Sequence, residues 1–113
     1  MVSITAEQAG PETVVVRVGK SLDFRNAADF KGLCQQQLEQ GVNKFVLDFS
    51  DTGILDSTGL GAIFSVYRQV SPHGGRVAFA SVSRPVQVVV QLTRTYKVFP
   101  QYATVTDATT PVA

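Results

Sequence analysis

The residues of this sequence whose types and spacing could do chemistry form one short stretch, Asp56-Ser57-Thr58-Gly59-Leu60-Gly61. It places an acid and two hydroxyls at the point where an apolar, strand-like segment gives way to a helical pattern. Free backbone N–H groups and the helix dipole favour negative charge at a helix N-terminus. A serine at that point can accept a phosphate and so act as a switch. A simpler interpretation is that Asp56 or Ser57 only caps the helix, which contributes about 1 kcal/mol.

The remaining chemically reactive side chains do not suggest catalysis. His73, the only histidine, lies in a predicted turn with no acid or nucleophile beside it. Cys34, the only cysteine, falls on an apolar helical stripe, which predicts a core residue that cannot form an internal disulfide. Because covalent catalysis needs a nucleophile and a base placed together, we expect a protein that is not an enzyme. The sequence likewise predicts no cofactor and no metal site.

Two glycine-containing segments match nucleotide-binding motifs only in part. Gly19-Lys20-Ser21 is similar to the end of a phosphate-binding loop, but Val14 stands where that loop has its first glycine. The Gly59-Leu60-Gly61 segment lacks the third glycine of a dinucleotide-binding fingerprint. Neither segment therefore predicts a nucleotide site.

Length and charge limit the classes of partner. The 113 residues suffice for one domain, residues 1–113, with a core of its own. The formal net charge is +1 and the basic residues form no run, which argues against nucleic acid. Apolar runs fall short of the ~20 residues that a membrane helix needs, so we expect no membrane insertion. The N-terminus lacks a signal-peptide pattern and the chain has a single cysteine, which indicates a cytoplasmic protein.

Strand and helix patterns alternate along the chain and predict an α/β fold. The predicted strands are residues 2–6, closed by the Gly10-Pro11 turn, then 13–18, 44–49, 76–82 and 98–99. The predicted helices begin within 22–29 and end at Gly41, span 58–71, run from Ser83-Arg84-Pro85 to residue 92, and form a short stub at 106–108. The third helix is valine-rich and strand-like in composition, but a proline in the first turn favours a helix.

The carboxyl ends of the strands are where we expect a partner to bind, because loops meet ligands at that edge of such sheets. The loop 49–56 is one candidate, and Leu22-Asp23 is predicted to form another beside it. Asp23 and Asp56 are then expected on the same edge as Ser57. An alternative for Asp23 is a helix N-cap ahead of Phe24.

These segments together resemble the STAS domains of the anti-sigma-factor antagonist family, over nearly the whole chain. Leu47-Asp48-Phe49 and residues 55–61 are similar to that family's strand and its Asp-Ser-Ser/Thr-Gly-Leu-Gly signature. Leu22-Asp23 matches the end of its Gly-Glu-Leu-Asp segment, and residues 74–99 follow in the family's order. The resemblance implies a mixed β-sheet with helices packed mainly on one face, in a single domain.

The resemblance also implies a mechanism. In that family an anti-sigma factor, itself a GHKL-type serine kinase, phosphorylates the first hydroxyl after the aspartate, which is Ser57 here. The unphosphorylated antagonist binds the kinase and releases a sigma factor, and a PP2C-type phosphatase reverses the modification. The partner-binding residues implied in this chain are Asp23, Asp56, Ser57, Thr58, Gly59, Leu60 and Gly61.

Two departures from the family pattern and two alternatives accompany this hypothesis. Lys20-Ser21 stands where the family has Gly-Glu, which changes the charge beside the docking edge. The tail from residue 106 is too short for a long last helix. The alternative function is a STAS regulatory subunit of a lipid or anion transporter. A weak homodimer through residues 13–18 or the valine-rich helix is left open.

Overall fold

The structure, a computed structural model, describes residues 4–110. Its strands are β1 (Thr5–Gln8), β2 (Thr13–Arg17), β3 (Ser21–Leu22), β4 (Lys44–Asp48), β5 (Ile54–Leu55), β6 (Arg76–Ala80) and β7 (Gln101–Tyr102). Its α-helices are α1 (Ala27–Glu39), α2 (Ser57–Val70), α3 (Arg84–Thr93) and α4 (Val105–Thr109). Short 3-10 turns follow α2 at Ser71–His73 and α3 at Thr95–Lys97.

The main sheet is mixed and has the strand order β1-β2-β4-β6-β7. The hairpin partners β1 and β2 are antiparallel, and the remaining neighbours are parallel. The short strands β3 and β5 pair in parallel as a separate sheet. This arrangement confirms the predicted fold class, because α/β alternation along the chain produced parallel strands joined by helical crossovers.

The core lies between the sheet and the first three helices. Alternate residues of the central strands point into it, and each is at most 1% exposed: Val14, Val16, Phe45, Leu47, Val77 and Phe79. Phe30, Ile63 and Val90 of α1, α2 and α3 complete this cluster. On the opposite face of the sheet, α4 lies near Val46 and Ala78. The helices therefore pack mainly on one face, as predicted.

The structure fixes the start of the first helix and contradicts one predicted strand. The first helix begins at Ala27, inside the predicted range 22–29. It does not start directly after Asp23, because Leu22 pairs in β3 and the N–H groups of Asn26 and Ala27 donate to the Asp23 carbonyl in a turn. The predicted strand 98–99 is wrong. The Phe99 N–H closes a turn on the Thr95 carbonyl, and the Phe99 ring stacks on Phe79 at 4.8 Å.

The ends of the chain agree with the prediction in outline. The first strand is β1, whose observed bounds lie later than the predicted 2–6; residues 2 and 3 lie outside the described residues. The valine-rich segment is a helix, with Ser83 as its N-cap and a proline in its first turn. The C-terminal stub is the short helix α4. No helix between residues 4 and 110 is long and apolar enough to cross a membrane.

Candidate functional site

The small β3–β5 sheet brings the two candidate acids to one edge. Leu22 pairs with Leu55 in parallel register, so the residues that follow them, Asp23 and Asp56, leave the sheet side by side. Both leucine side chains are buried, which anchors this sheet on the core. The Asp56 N–H donates to the Leu22 carbonyl at 3.3 Å and extends the pairing by one bond.

Asp56 joins this edge to helix α2. Its Oδ1 accepts from the Gly59 N–H at 2.8 Å, which makes Asp56 the N-cap of α2. Its Oδ2 accepts from the Phe24 N–H at 3.1 Å, across 32 residues of sequence. One carboxylate thus satisfies a helix N–H and fixes the backbone of the loop after β3. Asp56 caps the helix, and Ser57 is its first helical residue.

The two hydroxyls after Asp56 both face solvent. Ser57 and Thr58 are exposed, and neither hydroxyl has a hydrogen-bond partner within the described part of the chain. An exposed hydroxyl at the first helical position can reach a phosphate donor in another molecule without local unfolding. Exposure is shared by the two residues, so the choice of Ser57 over Thr58 stays a prediction.

The two glycines of the motif have different surroundings. A Cβ on Gly59 would lie 2.3 Å from the Leu22 carbonyl oxygen, closer than real Cβ atoms come to any neighbour. Gly59 therefore lets α2 pack directly on the backbone of β3. A Cβ on Gly61 would meet nothing within 4 Å, and this residue is exposed. Leu60 is half-buried and packs against the core.

Asp23 lies on the same edge, but its side chain is only 4% exposed and is paired within the chain. Its carboxylate accepts from the Arg25 guanidinium at 2.7 Å and from the Arg25 N–H at 3.0 Å. The hydrogen bonds from Arg25 hold the pKa of Asp23 below its ordinary value. Asp23 does not cap α1, since the N-cap position is Asn26. The Asn26 side chain instead bonds the Asp23 N–H and the Ser21 carbonyl.

Two exposed apolar residues at this edge were missed from the sequence. Phe24 is 74% exposed in the loop that carries Asp23, and Ile54 is 51% exposed in β5, two residues before Asp56. The available signal was an aromatic residue directly after a strand end, outside the apolar period of the following helix. Phe24 also begins a groove of about 390 Å³ between α1 and α2, lined by Ala28, Thr58 and Gly61 among others.

The side chains set aside as non-catalytic lie away from this edge. Cys34 is fully buried, and burial raises the pKa of its thiol to about 12. This agrees with a core residue, because only the thiolate is a strong nucleophile. His73 is exposed in the 3-10 turn after α2. Among residues 4–110, no group of three or more His, Cys, Asp or Glu side chains is arranged to hold a metal ion.

Comparison with known proteins identifies relatives along almost the entire chain. The family model for the STAS domain matches residues 4–108. A Thermotoga maritima protein classed as an anti-sigma factor antagonist is 32% identical over 98 residues, which cover 86% of this chain and 87% of that protein. A crystal structure of an anti-sigma factor antagonist from the same organism has 29% identity and a TM-score of 0.85, covering 93% of this chain and 90% of the other.

The fold is also that of the anti-sigma factor antagonist SpoIIAA. Its unphosphorylated form superimposes with a TM-score of 0.78 at 22% identity, covering 88% of both chains. A phosphorylated form from Bacillus superimposes with a TM-score of 0.71 at 20% identity, covering 88% of this chain and 91% of that one. At these identities the similarity shows the shared architecture.

Proposed function

This chain belongs to the STAS domain family, and we propose that it acts as an anti-sigma factor antagonist controlled by phosphorylation of Ser57. The unphosphorylated protein binds an anti-sigma factor in the cytoplasm and thereby releases a sigma factor. The anti-sigma factor is a GHKL-type serine kinase that phosphorylates Ser57 and so ends the interaction. A PP2C-type phosphatase returns the protein to its binding form.

The observation that carries the proposal is the exposed Ser57 hydroxyl at the first position of α2, which has no hydrogen-bond partner among residues 4–110. In the transfer, Oγ of Ser57 bonds to the γ-phosphorus of ATP, the bond to the ADP oxygen breaks, and the hydroxyl proton passes to a base of the kinase. This chain supplies the acceptor and not the catalytic groups. The relatives named as antagonists of anti-sigma factors, and the phosphorylated form of SpoIIAA, support the same assignment.

The exposed surroundings of Ser57 explain how a phosphate would act as a switch. Two exposed apolar residues lie near Asp56: Phe24, whose N–H bonds Asp56, and Ile54, two residues before it. A partner bound at Ser57 would cover both. A phosphate adds about −1.5 to −2 charges at pH 7, so burying it in that contact carries a large desolvation cost. In the free protein the first N–H groups of α2 favour the same charge. Binding is therefore lost while the fold is kept.

The test is phosphorylation by candidate anti-sigma kinases with ATP, followed by mass spectrometry to locate the phosphate. We expect one phosphate on wild-type protein, none on Ser57→Ala, and normal modification of the neighbouring control Thr58→Ala. Modification of Ser57→Ala at the wild-type rate would contradict the assigned site. If no anti-sigma kinase modifies or binds the wild-type protein, the alternative of a transporter subunit gains support.

A further inference from the structure

Helix α3 and the turn after it expose an unusual number of large apolar side chains. Leu92 is 80% exposed, Val88 is 52%, Tyr96 is 42% and Val98 is 36%. Val88 and Leu92 are one helical turn apart, on the side of α3 opposite the fully buried Val90. A helix that is apolar on both sides is typical of one covered on both sides. Valine is a mediocre helix former, so helix propensity does not explain Val88.

The charged residues of α3 and of the turn after it are all positive. Arg84 begins α3, while Arg94 and Lys97 follow its end, and all three are exposed. None of them forms an ion pair within residues 4–110. The sequence contains no Asp or Glu from residue 57 to residue 106. We call the exposed apolar residues with these three cations the α3 face; its complement is an apolar surface with acidic residues at its rim.

The α3 face lies next to the Ser57 edge. The Ser83 hydroxyl, which caps α3, also donates to the Thr52 carbonyl in the loop before β5. The strand β5, which contains the exposed Ile54, packs beside α3 and leads directly into Asp56 and α2. A partner that covers Ser57 and Ile54 therefore reaches the start of α3. A typical interface involves about 20–30 residues on each partner, so a contact at Ser57 is expected to extend to neighbouring elements.

Two other occupants fit the α3 face less well. A second copy of the same face would bring its three cations against three more, and α3 and the turn after it contain no acidic residue to pair with them. An anionic membrane would gain about 1 kcal/mol from each cation. However, one ten-residue helix with two outward apolar residues offers little area for insertion. A protein surface with apolar residues and an acidic rim complements both the cations and the exposed apolar side chains of the α3 face.

We propose that the α3 face is a second docking surface for the anti-sigma factor, which meets it with apolar side chains rimmed by Asp and Glu. This inference rests on the proposed function, since it assigns the same partner. The α3 face differs from the Ser57 edge in its regulation. Because it is separate from Ser57, its contribution to affinity does not depend on the phosphate. Its cations also accelerate association, most strongly at low ionic strength.

The test is a calorimetric titration, at low and high salt and without ATP, of a candidate anti-sigma factor that binds the wild-type protein, whether or not it phosphorylates Ser57. We expect Leu92→Asp to weaken binding at least tenfold. The neutral variant Leu92→Gln should weaken it by a smaller factor, and Lys97→Glu should weaken it mainly at low salt. Gln36→Asp is the matched control, because it adds the same charge to an exposed position near the end of α1 and should bind within twofold of wild type. Circular dichroism checks that each variant is folded.

The outcomes separate the two proposals. If both Leu92 variants bind like Gln36→Asp, the α3 face is not a docking surface, whatever is found for Ser57. If binding depends on Leu92 but Ser57 is never phosphorylated, the α3 face stands and the phosphoswitch fails. A membrane would replace the anti-sigma factor as the occupant of the α3 face under one result. In that result the wild-type protein co-sediments with phosphatidylcholine–phosphatidylserine vesicles and Leu92→Asp does not, while Leu92→Asp binds the anti-sigma factor like wild type.

Discussion

The first turn of α2 has an inward side and an outward side, and adjacent residues of one motif are divided between them. On the inward side, Gly59 lies against the Leu22 carbonyl and Asp56 bonds both the helix and the Phe24 backbone. On the outward side, Ser57 and Gly61 are exposed. Gly59 and Gly61 differ by only two positions in sequence. Yet one has a backbone oxygen where its side chain would be, and the other has open space.

This division separates residues that build the site from residues available to a partner. Substitution of Gly59 acts on the fold and alters function only through it. Asp56 joins the two sides, because it bonds both the helix and the exposed loop at Phe24. Substitutions on the outward side leave the fold unchanged or stabilise it, so any effect they have on binding belongs to the partner. Stability and binding measured on the same variants therefore distinguish the two classes.

The largest effect is expected for Gly59→Ala. The new methyl group would collide with the backbone of β3, so α2 must move away and the Asp56–Leu22 hydrogen bond is lost with it. We expect a loss of about 3 kcal/mol in the free energy of unfolding. Urea unfolding followed by circular dichroism measures this loss. Stability equal to wild type would mean that α2 does not pack on β3 as closely as described.

The next largest effect on stability is expected for substitutions of Asp56, and two variants distinguish its two hydrogen bonds. Asp56→Ala removes both and should cost about 1–2 kcal/mol in unfolding free energy. Asp56→Asn keeps one carbonyl oxygen that can still cap α2, but its amide nitrogen cannot accept from the Phe24 N–H. We therefore expect Asn to retain most of the stability while phosphorylation by the kinase slows. If Asp56→Asn strongly destabilises the protein but leaves the phosphorylation rate unchanged, the role of Asp56 is structural only.

Much of the fold followed from local patterns in the sequence. The strands β2, β4 and β6 and the helix α2 could be predicted because their apolar residues form continuous runs or recur with the period of a helix. The strand β5 was missed because it has only two residues, one of them exposed, and is formed by pairing with β3 more than thirty positions earlier. Phe99 was taken for a strand residue because apolar character alone does not distinguish a strand from a buried turn.

The candidate site was predictable in its residue types but not in their orientation. An acid before two hydroxyls and a glycine indicated a capped helix start, and Asp56 is that cap. Whether Gly59 or Gly61 faces β3 depends on how α2 packs, which no local pattern encodes. The orientation of Asp23 could not be predicted either, because its carboxylate forms an ion pair with Arg25, two residues later. Side-chain pairing within a loop depends on its three-dimensional course.

The outward side is tested most directly by replacing the hydroxyl of Ser57 with a charge. Ser57→Asp should leave the free energy of unfolding unchanged or slightly raised, since an acid in the first turn of a helix is favourable. Binding to the anti-sigma factor should weaken at least tenfold, about 1.4 kcal/mol. The uncharged control Ser57→Ala should bind like wild type. Equal affinities of the two variants would mean that charge at Ser57 does not control the interface.

The smallest effect on stability, and the one of opposite sign, is expected for Gly61→Ala. Alanine is favoured over glycine inside a helix by about 1 kcal/mol. The new methyl group would enter open space, so nothing offsets the gain. The variant should therefore unfold at a higher urea concentration than wild type. Gly32→Ala is the matched control, since Gly32 is also exposed within a helix and has open space around its Cβ position.

Affinity measurements on the same variants then test whether a partner contacts α2 at Gly61. If a partner backbone approaches α2 there, beside Phe24 and Thr58 in the groove between α1 and α2, the methyl group should lower affinity for the anti-sigma factor several-fold. Gly32→Ala should gain similar stability without losing affinity. A Gly61→Ala protein that is both more stable and an equally good binder would remove Gly61 from the docking surface and restrict that surface to Phe24, Ile54 and Ser57.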